Sequence, residues 1–128
     1  MYYRLATEED LPRLDACIRS EWPDDDIGLM PNVQTLIFRH GFISFDITNE
    51  VFPTVQHFYI DPEYRATGER MKMALTFLKT MRAFGFAKII LILPKKMDRL
   101  ANRIMQDFNL LPYDMNNDNW YLLIPTEV

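Results

Sequence analysis

The chain has 128 residues, 48% of them apolar, and a formal net charge of −4; it suits one folded domain over residues 1–128 and argues against disorder. The acidic balance argues against broad nucleic-acid binding, which needs a basic surface. Cys17 is the only cysteine, which excludes an internal disulfide and a cysteine-only metal site. The first ten residues lack an apolar signal core, and the longest apolar run, residues 89–93, is far too short to span a bilayer. The expectation is a soluble cytoplasmic protein without membrane association.

Residues 2–5 predict a short first strand. Thr7-Glu-Glu-Asp10 predicts a helix start, with Thr7 as cap and acids near the positive end of the helix. Pro12 suits a first turn, which makes Asp10 the alternative cap. Leu11, Leu14 and Ile18 share one helical face. Glu21-Trp-Pro-Asp-Asp-Asp26 breaks the helix, and the segment to Asn32 reads as a loop or a weak second helix. Trp22 among acids suits an amine-bearing acceptor through cation–π attraction; a solvated loop with one anchoring aromatic is the plainer reading. Residues 33–38 and 42–47, joined by Arg39-His40-Gly41, predict a hairpin. Thr48-Asn-Glu50 makes the next turn, and residues 54–60 the next strand.

The stretch Phe58-Tyr-Ile-Asp-Pro-Glu-Tyr-Arg-Ala-Thr-Gly-Glu-Arg-Met-Lys-Met-Ala-Leu75 then reads as a strand end, a short turn and the start of a long helix. A glycine in such a turn lets the backbone come close to a bound group. The first amides of a helix have no intrahelical partner, and its dipole adds partial positive charge there. Such a turn can hold a phosphate or diphosphate, and Arg65 and Arg70 would add charge and donors. In this context Asp61-Pro-Glu-Tyr-Arg65, Gly68 and the following amphipathic helix resemble the acyl-CoA-binding segment of the GNAT N-acetyltransferases. That family's loop is written Q/R-x-x-G-x-G/A. Arg65 and Gly68 match its first two fixed positions, and Arg70 stands where Gly or Ala is usual.

Residues 68–84 predict a helix with Met71, Ala74, Leu75, Leu78 and Met81 on its inner face, widened by Met73, Phe77 and Phe84. Gly85 is a natural left-handed stop. Residues 88–93 are an apolar run suited to a strand buried on both faces, ended by Pro94. Met97, Leu100, Ala101, Ile104, Met105 and Phe108 mark a second amphipathic helix, with Asn109 as its stop. Residues 110–115 and 120–124 flank the polar turn Asn116-Asn-Asp-Asn119 and predict a closing hairpin. Lys95, Lys96, Arg99 and Arg103 form a basic patch that reads as a solvated face. The order of elements resembles the GNAT order over nearly the whole chain. It implies an α+β domain, a mixed and mostly antiparallel sheet flanked by helices.

The resemblance implies an acetyl group passed from acetyl-CoA to a primary amine of a small molecule or protein. Amides of Ala66, Thr67, Gly68, Glu69 and Arg70, with Arg65, would face the diphosphate, and backbone at Phe58, Tyr59 and Ile60 would pair with the pantetheine arm. The family often carries a glutamate base on the strand before the loop; register places Thr54 near that position, followed by Gln56 and His57. His57 has the intrinsic pKa for a base near neutrality, and Gln56 and His57 are the candidate catalytic residues. Alternation does not say which face His57 takes, so a structural histidine in a half-buried strand is the plain alternative. The family's tyrosine acid falls on Met105, which cannot donate a proton, and its N-x-x-A segment falls on Asp98 and Ala101. Tyr59, Tyr113 and Tyr121 are spatial alternatives. Two distant histidines and one cysteine make a poor metal case. The departures carry a second reading: a GNAT fold used as a binding or assembly module. That layout loosely resembles small GNAT-like proteins of short-tailed phages, which implies a virion location. Exposed strand edges leave room for a homodimer.

Overall fold

The computed structural model describes residues 2–23, 33–48, 51–112, 114–115 and 118–127. Among these, β-branched and aromatic runs form seven strands: β1 (Tyr3–Leu5), β2 (Val33–Phe38), β3 (Gly41–Asp46), β4 (Thr54–Ile60), β5 (Lys88–Pro94), β6 (Asp114–Met115) and β7 (Asn119–Pro125). They make one sheet in the order β1-β2-β3-β4-β5-β7-β6. Every neighbouring pair is antiparallel except β4 and β5, which run parallel. Three helices accompany the sheet: α1 (Leu11–Glu21), α2 (Glu69–Ala83) and α3 (Asp98–Asp107). This is the expected α+β architecture. The segment of residues 24–32, residues 49–50 of the turn after β3 and residues 116–117 of the closing turn lie outside the described residues, as does Tyr113.

Because side chains alternate along a strand, β3 feeds two cores. Ile43 and Phe45 join Leu36, Val55 and Ile60 beneath α2 and α3, where Met73, Phe77, Met81 and Ala101 meet them. Phe42 joins Tyr59 on the opposite face, beneath Leu14 and Ile18 of α1. Helix α1 therefore covers one face, and α2 with α3 the other. Leu11, expected on the inner face, is 40% exposed, so α1 enters the core one turn later, at Leu14. The inner face of α2 is also rotated from the expected one. Met73, Phe77, Leu78, Thr80 and Met81 are buried, whereas Met71, Leu75 and Phe84 are exposed. Two apolar stripes overlap on this helix, and the sheet takes the one that holds Phe77, whose ring meets Phe45 edge-on at 5.4 Å.

Helix ends follow local chemistry. Gly85 N–H donates to the Arg82 carbonyl at 2.9 Å and Phe86 N–H to the Met81 carbonyl at 3.0 Å, the paired bonds that close a helix. Helix α3 closes in the same way: Asn109 takes φ 54°, and Leu110 N–H donates to the Met105 carbonyl at 2.8 Å. This shortens the expected strand over residues 110–115 to Asp114–Met115. Leu110 is spent on the helix end, and Pro112 has no amide to give a ladder. The strand expected over residues 42–47 begins at Gly41 and ends at Asp46. The Asp46 carboxylate accepts from Thr48 N–H at 2.8 Å and Thr48 Oγ1 at 2.7 Å, a local turn that competes with the ladder.

At the chain's start a 3₁₀ turn, Glu8–Asp10, follows Thr7 and leads into α1. The Asp10 carboxylate accepts two 2.8 Å bonds from the Arg4 guanidinium and one from Thr7 N–H at 2.8 Å. The Arg4 bond first, then the Thr7 amide, hold its pKa well below the usual carboxylate range. The depressed folded-state pKa means that this stabilisation is present above the unfolded value, about 3.9, and is lost as pH falls through the folded one. Urea unfolding at stepped pH is thus expected to show native stability falling faster than that of Asp10→Asn below about pH 4, with the two curves converging in strong acid.

Gly41 opens β3 opposite Ile60. A Cβ there would run into the Tyr59 carbonyl oxygen and sit 3.0 Å from Ile60 Cα. Gly41→Ala is expected to lower the unfolding free energy by about 1–3 kcal/mol through overpacking, measured by denaturant titration.

Candidate active site

The parallel pairing of β4 with β5 is confined to Thr54 with Ile90 and Val55 with Leu91. Beyond that point β4 stays with β3 as far as Ile60, and β5 stays with β7 as far as Pro94. The two strands part, and their C-terminal ends form a mouth between residues 56–60 and 92–94. The cause is visible on the other side of β4. Phe45 pairs with Val55 and Ser44 with His57, so Gln56 is an extra residue with no opposite number. Such a bulge bends and twists the strand that carries it.

The bulge also answers which face His57 takes. In a regular strand Val55 and His57 would share a face. Here Val55 lies under α2 and α3, whereas the His57 ring lies 4.9 Å from that of Trp22, which packs with the α1 cluster. His57 is 8% exposed, and its Nδ1 shares a 3.3 Å hydrogen bond with Ser44 Oγ. Gln56 is exposed at the bulge. Phe58 and Ile60 return to the larger core, and Tyr59 stacks on Phe42 at 5.1 Å on the α1 face. Burial first, then the Cys17 thiol, pushes the Tyr59 hydroxyl above its ordinary pKa, so it stays protonated.

The loop after β4 stands at the same end of the sheet. A 3₁₀ turn, Pro62–Tyr64, leads to Gly68, which takes φ 83° and precedes α2. A Cβ on Gly68 would meet nothing within 4 Å, so the space above it is open. Lys72 N–H reaches back to the Gly68 carbonyl at 3.4 Å. The amides of Glu69, Arg70 and Met71 therefore stand at the open, positive end of α2. The β2–β3 turn braces this loop: Asp61 N–H donates to the His40 carbonyl at 2.8 Å, and the His40 ring stacks on Tyr64 at 3.5 Å. Thr67 Oγ1 donates to the Tyr64 carbonyl at 2.7 Å.

The two loop arginines differ. Arg70 is exposed. Arg65 folds back: its Nε donates to the Ile60 carbonyl at 2.9 Å, its guanidinium lies 5.6 Å from the Tyr59 ring centre, and one terminal nitrogen pairs with Glu21 Oε2 at 2.8 Å. The Glu21 bond raises its pKa further.

On the far side of the mouth, Trp120 Nε1–H donates to Asp98 Oδ1 at 2.6 Å, and Lys95 Nζ lies 4.2 Å over the Trp120 ring. Lys95, expected on a solvated face, is half-buried there; Lys96 and Arg99 are exposed, and Arg103 lies 3.9 Å from Asp107. Met105 is half-buried against the larger core. Among the described residues no group of three or more His, Cys, Asp or Glu side chains is placed to hold a metal, and no helix is long and apolar enough to cross a membrane. Sequence reading missed Ser44, Glu21 and Trp120. Their partners lie 13, 44 and 22 residues away, and periodicity says nothing at that range.

No protein-family model and no curated protein matches the chain. Solved structures do. GCN5 from Tetrahymena aligns with a TM-score of 0.72 over 100% of this chain and 99% of that one, at 9% identity. The aminoglycoside 6′-N-acetyltransferase from Enterococcus faecium aligns at 0.71, over 100% and 98%, at 10% identity. The PaiA N-acetyltransferase from Thermoplasma acidophilum, solved in complex with coenzyme A, aligns at 0.68, over 98% and 99%, at 14% identity. The chain has the GNAT fold. At these identities the likeness establishes the architecture.

Because Gly68 takes a left-handed φ that a Cβ disfavours, while the space around it is open, Gly68→Ala is expected to cost about 1–2 kcal/mol of stability without disturbing the packing. Denaturant titration beside near-ultraviolet circular dichroism checks both parts.

Proposed function

We propose that this GNAT-fold chain is an N-acyltransferase that moves an acetyl group from acetyl-CoA to a primary amine of a small molecule or a protein. One observation carries the reading: the mouth where β4 leaves β5 lies beside the open amide end of α2, with clear space above Gly68. An anion fits that end of a helix. The amides of Ala66, Gly68, Glu69 and Arg70 would hold the diphosphate of the co-substrate, with Arg70 reaching it from solvent; the Thr67 amide, expected there too, donates to the Tyr64 carbonyl at 3.3 Å. The backbone of Phe58, Tyr59 and Ile60, on the edge of β4 that has left β5, would pair with the pantetheine arm. Acetyl-CoA bound there supplies the acetyl group as a thioester. Support for an amine acceptor comes from what resembles this fold: one of the similar structures is an aminoglycoside N-acetyltransferase.

The remaining steps belong to the chain's own residues. An ammonium must lose a proton before its nitrogen can attack. A neutral His57 imidazole, held by Ser44 at 3.3 Å and walled by Trp22, would accept that proton. Gln56, exposed at the bulge, would orient the acceptor through its side-chain amide. Met105 cannot protonate the departing thiolate, and Tyr59, at the end of β4 and kept protonated by its surroundings, is a phenol that would stand in for it. Positioning would supply much of the rate in such a site.

A second reading is favoured by Arg65 and Asp98. Both are engaged by other side chains of the same chain, Glu21 and Trp120, as in a fold retained for contact. In that reading the chain is a non-catalytic binding or assembly protein, with a virion component as its phage form, and a homodimer or a separate partner would use the strand edges. Calorimetric titration with acetyl-CoA separates the two readings. The acyltransferase reading expects binding that is lost in Gly68→Trp, whose ring fills the space above the loop. Absence of binding at millimolar acetyl-CoA by the folded native chain would sink it and leave the assembly reading.

A further inference from the structure

Arg65 and Glu21 are 44 residues apart in sequence and join two parts of the proposed site. Arg65 belongs to the loop, three residues before Gly68. Glu21 is the last residue of α1, and Trp22 follows it directly. Trp22 N–H still donates to the Ile18 carbonyl at 2.8 Å, so the ring that touches His57 is fixed to the end of α1. One ion pair thus connects the anion-binding loop to the aromatic wall of the buried histidine.

The pair is built to exchange. Its side chains are 34% and 38% exposed, so solvent and an incoming anion can reach it. A half-exposed pair of this kind contributes little, equivalent to about a two- to fivefold change in an equilibrium. A diphosphate is a stronger partner for a guanidinium, through charge and two-point hydrogen bonding. The other anchors of Arg65, the Ile60 carbonyl and the Tyr59 ring, hold its stem at the loop whichever anion its terminal nitrogen meets.

We infer that Glu21 is a positioning residue that holds Arg65 in the empty chain and yields it to the diphosphate of the bound co-substrate, so that filling the loop releases the end of α1 and shifts Trp22 against His57. The inference rests on the acyl-CoA reading of the loop. Glu21 itself touches no reacting atom and acts only through Arg65 and Trp22.

The test is a coenzyme A titration of four full-length proteins: native, Glu21→Gln, Arg65→Gln and the double variant. Calorimetry gives affinity, and tryptophan emission reports the wall, with Trp22→Phe as the control that assigns the signal. Removing the competing carboxylate is expected to tighten binding about two- to fivefold. The double variant is expected to bind like Arg65→Gln alone. Native emission is expected to change on binding, with the change absent from Trp22→Phe and smaller in Glu21→Gln, where the contact is already loosened. Native binding with no gain in Glu21→Gln, a gain that persists without Arg65, or a silent Trp22 would overturn the inference while leaving the acyl-CoA reading standing. No coenzyme A binding by any of the four would overturn both.

Discussion

A strand has a side-chain period of two, and one added residue reverses the face of everything after it. In this chain that residue is Gln56. Before it, Val55 points into the core under α2 and α3; after it, His57 and Tyr59 turn toward α1. The same irregularity bends β4, and the parallel ladder with β5 stops at Val55 and Leu91. The buried histidine, the exposed glutamine and the opening in the sheet therefore share one local cause.

The features around the opening are held from outside it. The loop leans on the β2–β3 turn through His40 and Tyr64. That turn can approach because Gly41 presents no side chain to the Tyr59 carbonyl. On the other bank, Trp120 and Asp98 fasten the start of α3 to β7. Two helices and a hairpin turn are thus fixed near a gap whose own backbone makes few bonds across it. Fixed surroundings with an open centre are what preorganised binding needs, because little ordering then remains to be done when a ligand arrives.

Local patterns in the sequence were enough for most of this architecture. Apolar and β-branched runs marked β2 to β5, Gly85 and Asn109 marked the two helix ends, and the Gly68 turn marked the start of α2. The resemblance through Arg65 and Gly68 pointed to the fold that the structure has. What was not legible depended on partners distant in sequence. Nothing near Met71 or Leu75 says that the sheet will prefer the stripe through Met73 and Phe77; that choice is made by Phe45 and its neighbours. The bulge at Gln56 was not legible, since its register is set by Ser44 and Phe45 of β3. The fate of Arg65 was set by Glu21, and that of Asp98 by Trp120.

The short ladder between β4 and β5 has a mechanical consequence. Strands β1 to β4 come from residues 3–60 and strands β5 to β7 from residues 88–125, so each half of the sheet is built from one uninterrupted stretch of chain. The halves share two residue pairs and are otherwise joined by side chains, with Met73, Phe77 and Met81 of α2 lying in the core that both halves line. Hydrogen bonds are directional and fail abruptly when bent, whereas apolar contacts slide. The seam between the halves is therefore held more by apolar contacts than by ladder bonds.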